Sequence, residues 1–168
     1  MKFEQVRSHI EKISGGRVSL RKYEEYHSCT CLSEPIREFR IESKEDIPCI
    51  RQEVDRLFEK SIRCWGQVRW PILLTLSEAV TNVVKHTPGG RLLVFRRPEG
   101  PCFHVIDRGT GIDLDLASSI LFDRGFSTSS SLGMGFPIMI EYGDRITLYT
   151  SNQGTVLILQ FDLEKECI

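Results

Sequence analysis

The sequence contains the stretch EAVTNVVKH at residues 78–86, and its spacing of polar and apolar residues predicts an amphipathic helix. At about 100° per residue, Glu78, Asn82 and His86 follow one another along one side of such a helix. The opposite side carries the apolar residues Ile72, Leu73, Leu76, Val80, Val83 and Val84. We therefore predict a helix from Pro71 to about His86 that presents a carboxylate, an amide and an imidazole in a row.

The polar side of this helix is open to two interpretations. Most amphipathic helices simply expose such a side to water, but this one has few lysines and glutamates and instead carries asparagine and threonine, which are poor helix formers. In a functional interpretation, the carboxylate of Glu78 accepts a proton from a hydroxyl or a water molecule. The amide oxygen of Asn82 is a hard ligand that suits Mg²⁺. Lys85 and His86 can contact phosphate oxygens.

A glycine-bearing segment, DRGTG at residues 107–111, follows a predicted strand over residues 102–107. An aspartate beside two glycines is typical of an ordinary turn. Alternatively, Gly109 and Gly111 let the backbone approach a flat ring closely. The carboxylate of Asp107 would then accept a hydrogen bond from an exocyclic amine such as that of adenine.

A second glycine-bearing segment, GMGFP at residues 133–137, precedes a predicted short helix from about Pro137 to Tyr142. Backbone N–H groups at a helix start bind anions. The hydroxyl-rich residues 127–131, which include Thr128, come just before it. They are interpreted as a flexible surface loop, as a lid over phosphates, or as phosphorylation sites. The sequence has no G-x4-GK[ST] motif, which excludes a P-loop.

The composition is that of a globular protein of 168 residues with a formal net charge of −1. A net charge this close to zero argues against binding to nucleic acid or to an anionic membrane through a large basic surface. With no long apolar run and a charged N-terminus, we expect a cytoplasmic protein whose six cysteines are reduced. Two interpretations apply to the cluster of His27, Cys29 and Cys31: a metal site that lacks a fourth ligand, or a plain loop.

Two regions are predicted along the chain. Residues 1–33 form an N-terminal extension, with a helix from Lys2 to Ile13, that serves as a docking or dimerisation arm. Residues 34–168 contain a strand at 36–41, a helix capped by Asp46, the helix of residues 71–86, and two hairpins separated by a loop and a short helix. Because strands outnumber crossovers, we predict an α+β, two-layer sandwich with a mixed, mostly antiparallel sheet and helices on one face.

Four segments in this order resemble the N, G1, G2 and G3 boxes of the GHKL (Bergerat-fold) ATPases. They are EAVTNVVKH at 78–86, DRGTG at 107–111, GMGF at 133–136 and the pair Gly154-Thr155. Within that superfamily the chain most resembles the bacterial anti-sigma-factor and switch serine kinases, and the resemblance covers roughly residues 36–162. It implies a Bergerat ATP-binding fold over this region.

The resemblance also implies roles for individual residues. Asn82 would hold the Mg²⁺ of MgATP, and Glu78 would be the general base that activates a seryl or threonyl hydroxyl. Asp107 would select adenine. The residues expected to bind the nucleotide are Asn82, Lys85, His86, Asp107, Gly109, Gly111, Thr128, Gly133, Met134, Gly135 and Thr155.

The family's partners are further expectations. The substrate would be a small STAS-domain anti-sigma antagonist, a sigma factor or a phosphatase would be a second partner, and a homodimer is an expected assembly. Sensor histidine kinases share the fold, but they usually carry asparagine where this chain has Glu78 and need a long dimerising helical segment. The arginine expected just before the lid glycines is replaced by Ser130-Ser131-Leu132, and Arg124 is the nearest basic residue.

Three functional hypotheses follow. The first is a MgATP-dependent serine/threonine protein kinase that regulates a sigma-factor pathway by partner switching. The second is a non-catalytic, ATP-gated protein-binding module of the same fold. The third is a plain ATPase or a redox-sensing regulator that uses Cys29 and Cys31.

Overall fold

A computed structural model describes residues 2–28, 33–124, 135–164 and 167, with only the backbone for His27 and Ser28. The α-helices are α1 (Lys2–Ile13), α2 (Asp46–Glu59), α3 (Trp65–His86), α4 (Ala117–Phe122) and α5 (Gly135–Tyr142). The strands are β1 (Val18–Lys22), β2 (Arg37–Ile41), β3 (Gly90–Arg97), β4 (Gly100–Asp107), β5 (Arg145–Ser151) and β6 (Gly154–Gln160). A 3₁₀ helix, Tyr23–Ser28, follows β1.

The strands form one six-stranded sheet in the order β1-β5-β6-β4-β3-β2. Every neighbouring pair is antiparallel except β1 and β5, which are parallel. Phe103 and Val105 of β4 face a core that also contains Phe58 of α2 and Leu76 of α3. The predicted two-layer arrangement, a mostly antiparallel sheet with the α-helices on one face, is confirmed.

The other face of the sheet has a smaller apolar cluster, because residues alternate between the two faces of a strand. Cys102 and Ile106 of β4 belong to it, and Tyr23 and Tyr26 of the 3₁₀ helix pack against it. The Tyr26 hydroxyl lies 2.9 Å from Nδ1 of His104. Burial lowers the pKa of His104 to about 4, so this imidazole is neutral at physiological pH.

Helix α3 begins at Trp65, six residues before the start predicted at Pro71. The buried Trp65 side chain, 2 % exposed, anchors the extra turn and donates from Nε1 to Asp55 at 2.7 Å. Proline lacks the N–H that would bond to the carbonyl of Gln67. Gln67 is exposed, so water can serve that carbonyl and the helix continues through the proline.

Two further local predictions are wrong. Asp46 is the first residue of α2 rather than its cap, and its Oδ2 accepts the N–H groups of Glu42 at 2.8 Å and Ser43 at 2.9 Å. These two hydrogen bonds lower the pKa of Asp46. Helix α4 lies in a segment that was predicted as loop, since six residues are too few to show a helical period.

The N-terminal segment contains the predicted helix α1 and one strand that was not predicted. In β1, Val18 pairs with Ile146 and Leu20 with Leu148, so this segment extends the sheet at one edge. Only those two buried residues alternate in the five-residue strand, which is a weak sequence signal. The role of residues 1–33 as a docking or dimerisation arm stays a prediction.

Two cysteines are oxidised, contrary to the expectation that all six are thiols. Cys64 and Cys167 form a disulfide across a sequence separation of 103 residues. The N–H of Arg63 also donates to the carbonyl of Cys167 at 2.9 Å. The expectation of free thiols rested on the predicted cytoplasmic location. The sequence carries no signal that Cys64 and Cys167, which are 103 positions apart, lie next to each other in the fold. Cys49 is a free, exposed thiol.

Cys29 and Cys31, the proposed metal or redox pair, lie outside the residues that the structure describes. Across the described ranges, no group of three or more His, Cys, Asp or Glu side chains is arranged to hold a metal ion. Among the helices of the same ranges, none has the length and apolar character needed to cross a membrane.

We predict that replacing Cys64 and Cys167 together by serine lowers the free energy of unfolding by about 2–5 kcal/mol, because the disulfide restricts the unfolded chain. Urea denaturation measures the change. The control Cys49→Ser, at an exposed thiol, should stay within about 0.5 kcal/mol of wild type. An unchanged unfolding midpoint for the double variant would show that the disulfide does not stabilise the fold.

Candidate functional site

A cavity of about 270 Å³ lies between α3 and the end of the sheet where β4 ends and β6 begins. It is close to the lower end of the range for small-molecule sites, roughly 300–1,000 Å³. Its wall brings together the predicted site residues Asn82, His86, Asp107, Gly109, Gly111, Gly135 and Thr155. Segments separated by up to 73 positions, from Asn82 to Thr155, therefore converge on one space.

The carboxylate of Asp107 is held at the end of β4. Its Oδ1 accepts the N–H of Gly109 at 2.8 Å and the N–H of Thr155 at 3.2 Å. Burial raises the pKa of Asp107, while those two hydrogen bonds act in the opposite direction. Within the described ranges Oδ2 has no hydrogen-bond partner, so this oxygen remains available to a ligand in the cavity.

The two glycines after Asp107 are required by the protein's own packing. Gly111 has φ +82°, and a Cβ placed on it would lie 2.0 Å from the carbonyl oxygen of Ser151. A Cβ on Gly109 would lie 2.9 Å from Cγ2 of Thr87 and 3.1 Å from Oδ1 of Asp107. Both residues line the cavity, and contacts within the protein already account for the absence of a side chain, so their role at a nucleotide stays a prediction.

Glu78 and Asn82 lie one helical turn apart on α3 and meet the first residue of α5. A Cβ on Gly135 would lie 3.2 Å from Nδ2 and 3.3 Å from Oδ1 of Asn82, and 3.6 Å from Oε2 of Glu78. Glycine therefore leaves room for both side chains at the start of α5. Asn82 is part of the cavity wall, and Glu78 lies just outside the wall, next to Asn82.

The remaining predicted residues fall into two groups. His86 lines the cavity near the C-terminal end of α3, whereas Lys85 is exposed and lies outside the wall. Thr128, Gly133 and Met134 lie outside the residues that the structure describes, so their predicted contacts with a nucleotide stay predictions.

Thr150 supports the site and was not predicted. Its Oγ1 accepts the N–H of Ile112 at 2.9 Å and lies 3.3 Å from Oγ1 of Thr155. The register of the β5–β6 hairpin pairs Thr150 with Thr155, so the predicted hairpin could have indicated that Thr150 lies next to Thr155. Thr150 thereby joins the loop after Gly111 to the strand that carries Thr155.

Much of the rest of the wall is apolar, including Val83, Val105 and Leu157, and it also contains Thr87, Thr110 and the exposed Asp113. A largely apolar wall around the half-buried carboxylate of Asp107 suits a flat ring that carries an exocyclic amine. At the α5 side, the amide oxygen of Asn82 is an oxygen ligand of the kind that Mg²⁺ prefers, and the carboxylate of Glu78 lies one helical turn away. The residues present therefore fit an adenine nucleotide with Mg²⁺ at its phosphates.

A family model described as "Histidine kinase-, DNA gyrase B-, and HSP90-like ATPase" matches residues 69–165 of the chain. The matched segment contains most of α3, both β-hairpins and every described residue of the cavity wall. No curated protein sequence matches the chain significantly.

We predict that Asp107→Asn weakens binding of an adenine nucleotide by about 10- to 100-fold. The asparagine oxygen can still accept the two N–H groups, but an NH₂ donor then replaces Oδ2 and opposes the exocyclic amine. Calorimetry measures the affinity. Asp113→Asn, at an exposed carboxylate in the same wall, is the matched control and should bind nearly as wild type.

The same substitution should change how the stability of the ligand-free protein depends on pH. Because burial raises the pKa of Asp107, the contribution of this carboxyl to wild-type stability falls as the pH rises from 3.8 through the raised pKa, and Asp107→Asn lacks that loss. The variant's stability relative to wild type should therefore grow over that pH range, as thermal melts can measure. A variant that binds nucleotide as wild type does would contradict the assignment of Asp107.

Proposed function

Because the chain belongs to the histidine kinase-, DNA gyrase B- and HSP90-like (GHKL) ATPases, we propose that it is a MgATP-dependent serine/threonine protein kinase. Membership of this ATP-binding superfamily confirms the broader part of the predicted resemblance. The narrower part, which concerns the anti-sigma-factor and switch serine kinases, is part of the proposal.

The position of Glu78 supports the kinase proposal most strongly. Its Oε2 and the amide of Asn82 both lie close to Gly135, the first residue of α5. Glu78 is beside the cavity and is not part of its wall. A nucleotide whose adenine meets Asp107 would extend its phosphates toward Asn82. The carboxylate would then lie next to the terminal phosphate, where an acceptor hydroxyl must approach.

Each residue has a specific task in this scheme. The Oδ2 atom of Asp107 accepts a hydrogen bond from the adenine amine, and the amide oxygen of Asn82 would ligate Mg²⁺. When bound, Mg²⁺ neutralises charge on the phosphate oxygens. Glu78 takes the proton of a seryl or threonyl hydroxyl as that oxygen bonds to the γ-phosphorus, and the bond to the bridging oxygen breaks to leave ADP.

The proposed protein substrate is a small STAS-domain antagonist, and a sigma factor or a phosphatase is a proposed further partner. This part of the proposal rests on the EAVTN and GMGF runs that resemble the switch serine kinases. A pull-down from native lysate with and without ATP, followed by phosphosite mapping of the captured proteins, tests it. Capture of no STAS-domain protein would contradict the proposed partner.

A non-catalytic, ATP-gated binding module is the second candidate, and the position of Arg124 favours it. This arginine pairs with the exposed Glu141 at 2.9 Å. Within the described residues, the cavity wall contains no arginine or lysine that could stabilise charge on the transferred phosphoryl group. Tight ATP binding without phosphate transfer to any captured protein would select this module.

We predict that Glu78→Gln binds MgATP nearly as wild type does but lowers phosphotransfer by about 100-fold or more, because the amide cannot accept the hydroxyl proton. Calorimetry gives the affinity, and label from [γ-³²P]ATP on a captured partner protein gives the transfer rate. Glu59→Gln, the same change at an exposed residue at the end of α2, should leave both unchanged.

We predict that Asn82→Ala instead weakens ATP binding in the presence of Mg²⁺, while binding in EDTA changes little. The difference between the two conditions isolates the metal ligand from other contacts of this side chain.

A Glu78→Gln variant that labels the partner at the wild-type rate would remove Glu78 as the base. Equal losses for Asn82→Ala with and without Mg²⁺ would remove Asn82 as the ligand.

A further inference from the structure

Helix α5 lies along α3 in the antiparallel direction and connects the site to a distant surface. A Cβ on its first residue, Gly135, would lie 3.2 Å from Nδ2 of Asn82 and 3.6 Å from Oε2 of Glu78, so this end of α5 lies close to both side chains. Near its other end, the Tyr142 ring packs edge-on against Trp70, with ring centroids 5.7 Å apart. The eight residues of α5 span about 12 Å, which is also the rise along α3 from Trp70 to Glu78. The position of one end of α5 therefore sets the position of the other.

Arg17, in the segment between α1 and β1, holds the distant end of α5. Its Nη2 donates to the backbone carbonyls of Ile140 and Gly143, the latter at 2.6 Å. The last carbonyls of a helix have no partner within the helix, and a cation is favourable at that end of the helix dipole. By Asp144 the chain has left the helix, because its N–H donates to Gln160 at 3.0 Å.

The backbone of Arg17 is itself fixed on both sides. Its carbonyl accepts the N–H of Ile146 at 2.9 Å, next to the parallel pairing of β1 and β5. Its N–H donates to the carbonyl of Ser14 at 3.3 Å, in the turn that ends α1. The guanidinium that holds α5 is therefore carried by a backbone segment that is fixed at the edge of the sheet.

We propose that Arg17 is a positioning residue for the phosphate end of the nucleotide site. By holding the C-terminal end of α5, it keeps Gly135 against Asn82 and Glu78. Arg17 lies outside residues 69–165, which match the family model, so this feature belongs to the N-terminal segment of this chain. The proposal rests on the proposed function, because it assigns the phosphates to the Asn82 and Glu78 side of the cavity.

Binding by Arg17→Ala and Arg17→Lys tests the proposal. Arg17→Ala should bind MgATP about tenfold more weakly, because two charge-assisted hydrogen bonds are lost. It should bind adenosine within about twofold of wild type, because Asp107 is held in place by the N–H groups of Gly109 and Thr155 and not by Arg17 or α5. Arg17→Lys keeps the cation and should be intermediate. Arg21→Ala, on β1 with a half-exposed ion pair to Glu25 at 3.6 Å, is the matched control and should bind both as wild type does.

Hydrogen exchange of the ligand-free proteins provides a readout that does not depend on nucleotide binding. Amides of residues 139–142, whose N–H groups can bond to carbonyls within α5, should exchange faster in Arg17→Ala than in wild type or Arg21→Ala. Failure of wild type to bind MgATP would refute the proposed function, and the exchange rates would still test whether Arg17 positions α5.

Two outcomes would overturn the role of Arg17. One is unchanged exchange in α5 together with unchanged MgATP affinity. The other is an equal loss of MgATP and adenosine binding that follows a lower melting temperature, since this would show a general structural role. A selective loss of MgATP binding with faster exchange in α5 supports the proposal.

Discussion

The hydrogen bonds from the N–H groups of Gly109 and Thr155 to Oδ1 of Asp107 form the constraint on which the site depends. They join the end of β4, the loop after it and the start of β6 at one end of the sheet. Burying this carboxylate raises its pKa, so the ionised group costs stability in the ligand-free protein. That cost is understandable if Oδ2 is kept for a ligand, because a second hydrogen bond inside the protein would occupy it.

The opposite side of the cavity is built by helix packing. Most of α3 serves the core through apolar residues such as Leu76 and Val80, and its other side brings Glu78 and Asn82 to the start of α5. The carboxylate of Asp107 at the sheet end and the side chains of Glu78 and Asn82 on α3 are thereby held at different parts of the candidate site. Since α5 is fixed at its far end by Arg17, the N-terminal segment contributes to this arrangement from outside the matched family region.

The features predicted correctly from the sequence are those with a short-range signal. The helical period placed Glu78, Asn82 and His86 on one side of α3, and the strand before Asp107 placed its carboxylate at the sheet end. The features that escaped prediction depend on distant contacts. The start of α3 depends on Trp65 packing, β1 pairs with β5 across more than 120 residues, and the disulfide joins Cys64 to Cys167. Thr150 and Arg17 act only through partners that the fold brings to them.

A crystal structure with Mg²⁺ and a non-hydrolysable ATP analogue would show directly which end of the cavity holds the adenine. We expect the adenine amine within hydrogen-bond distance of Oδ2 of Asp107, and the terminal phosphate beside Asn82 and Glu78. An analogue bound outside this cavity, or one with its adenine at Glu78 and its phosphates at Asp107, would contradict this placement.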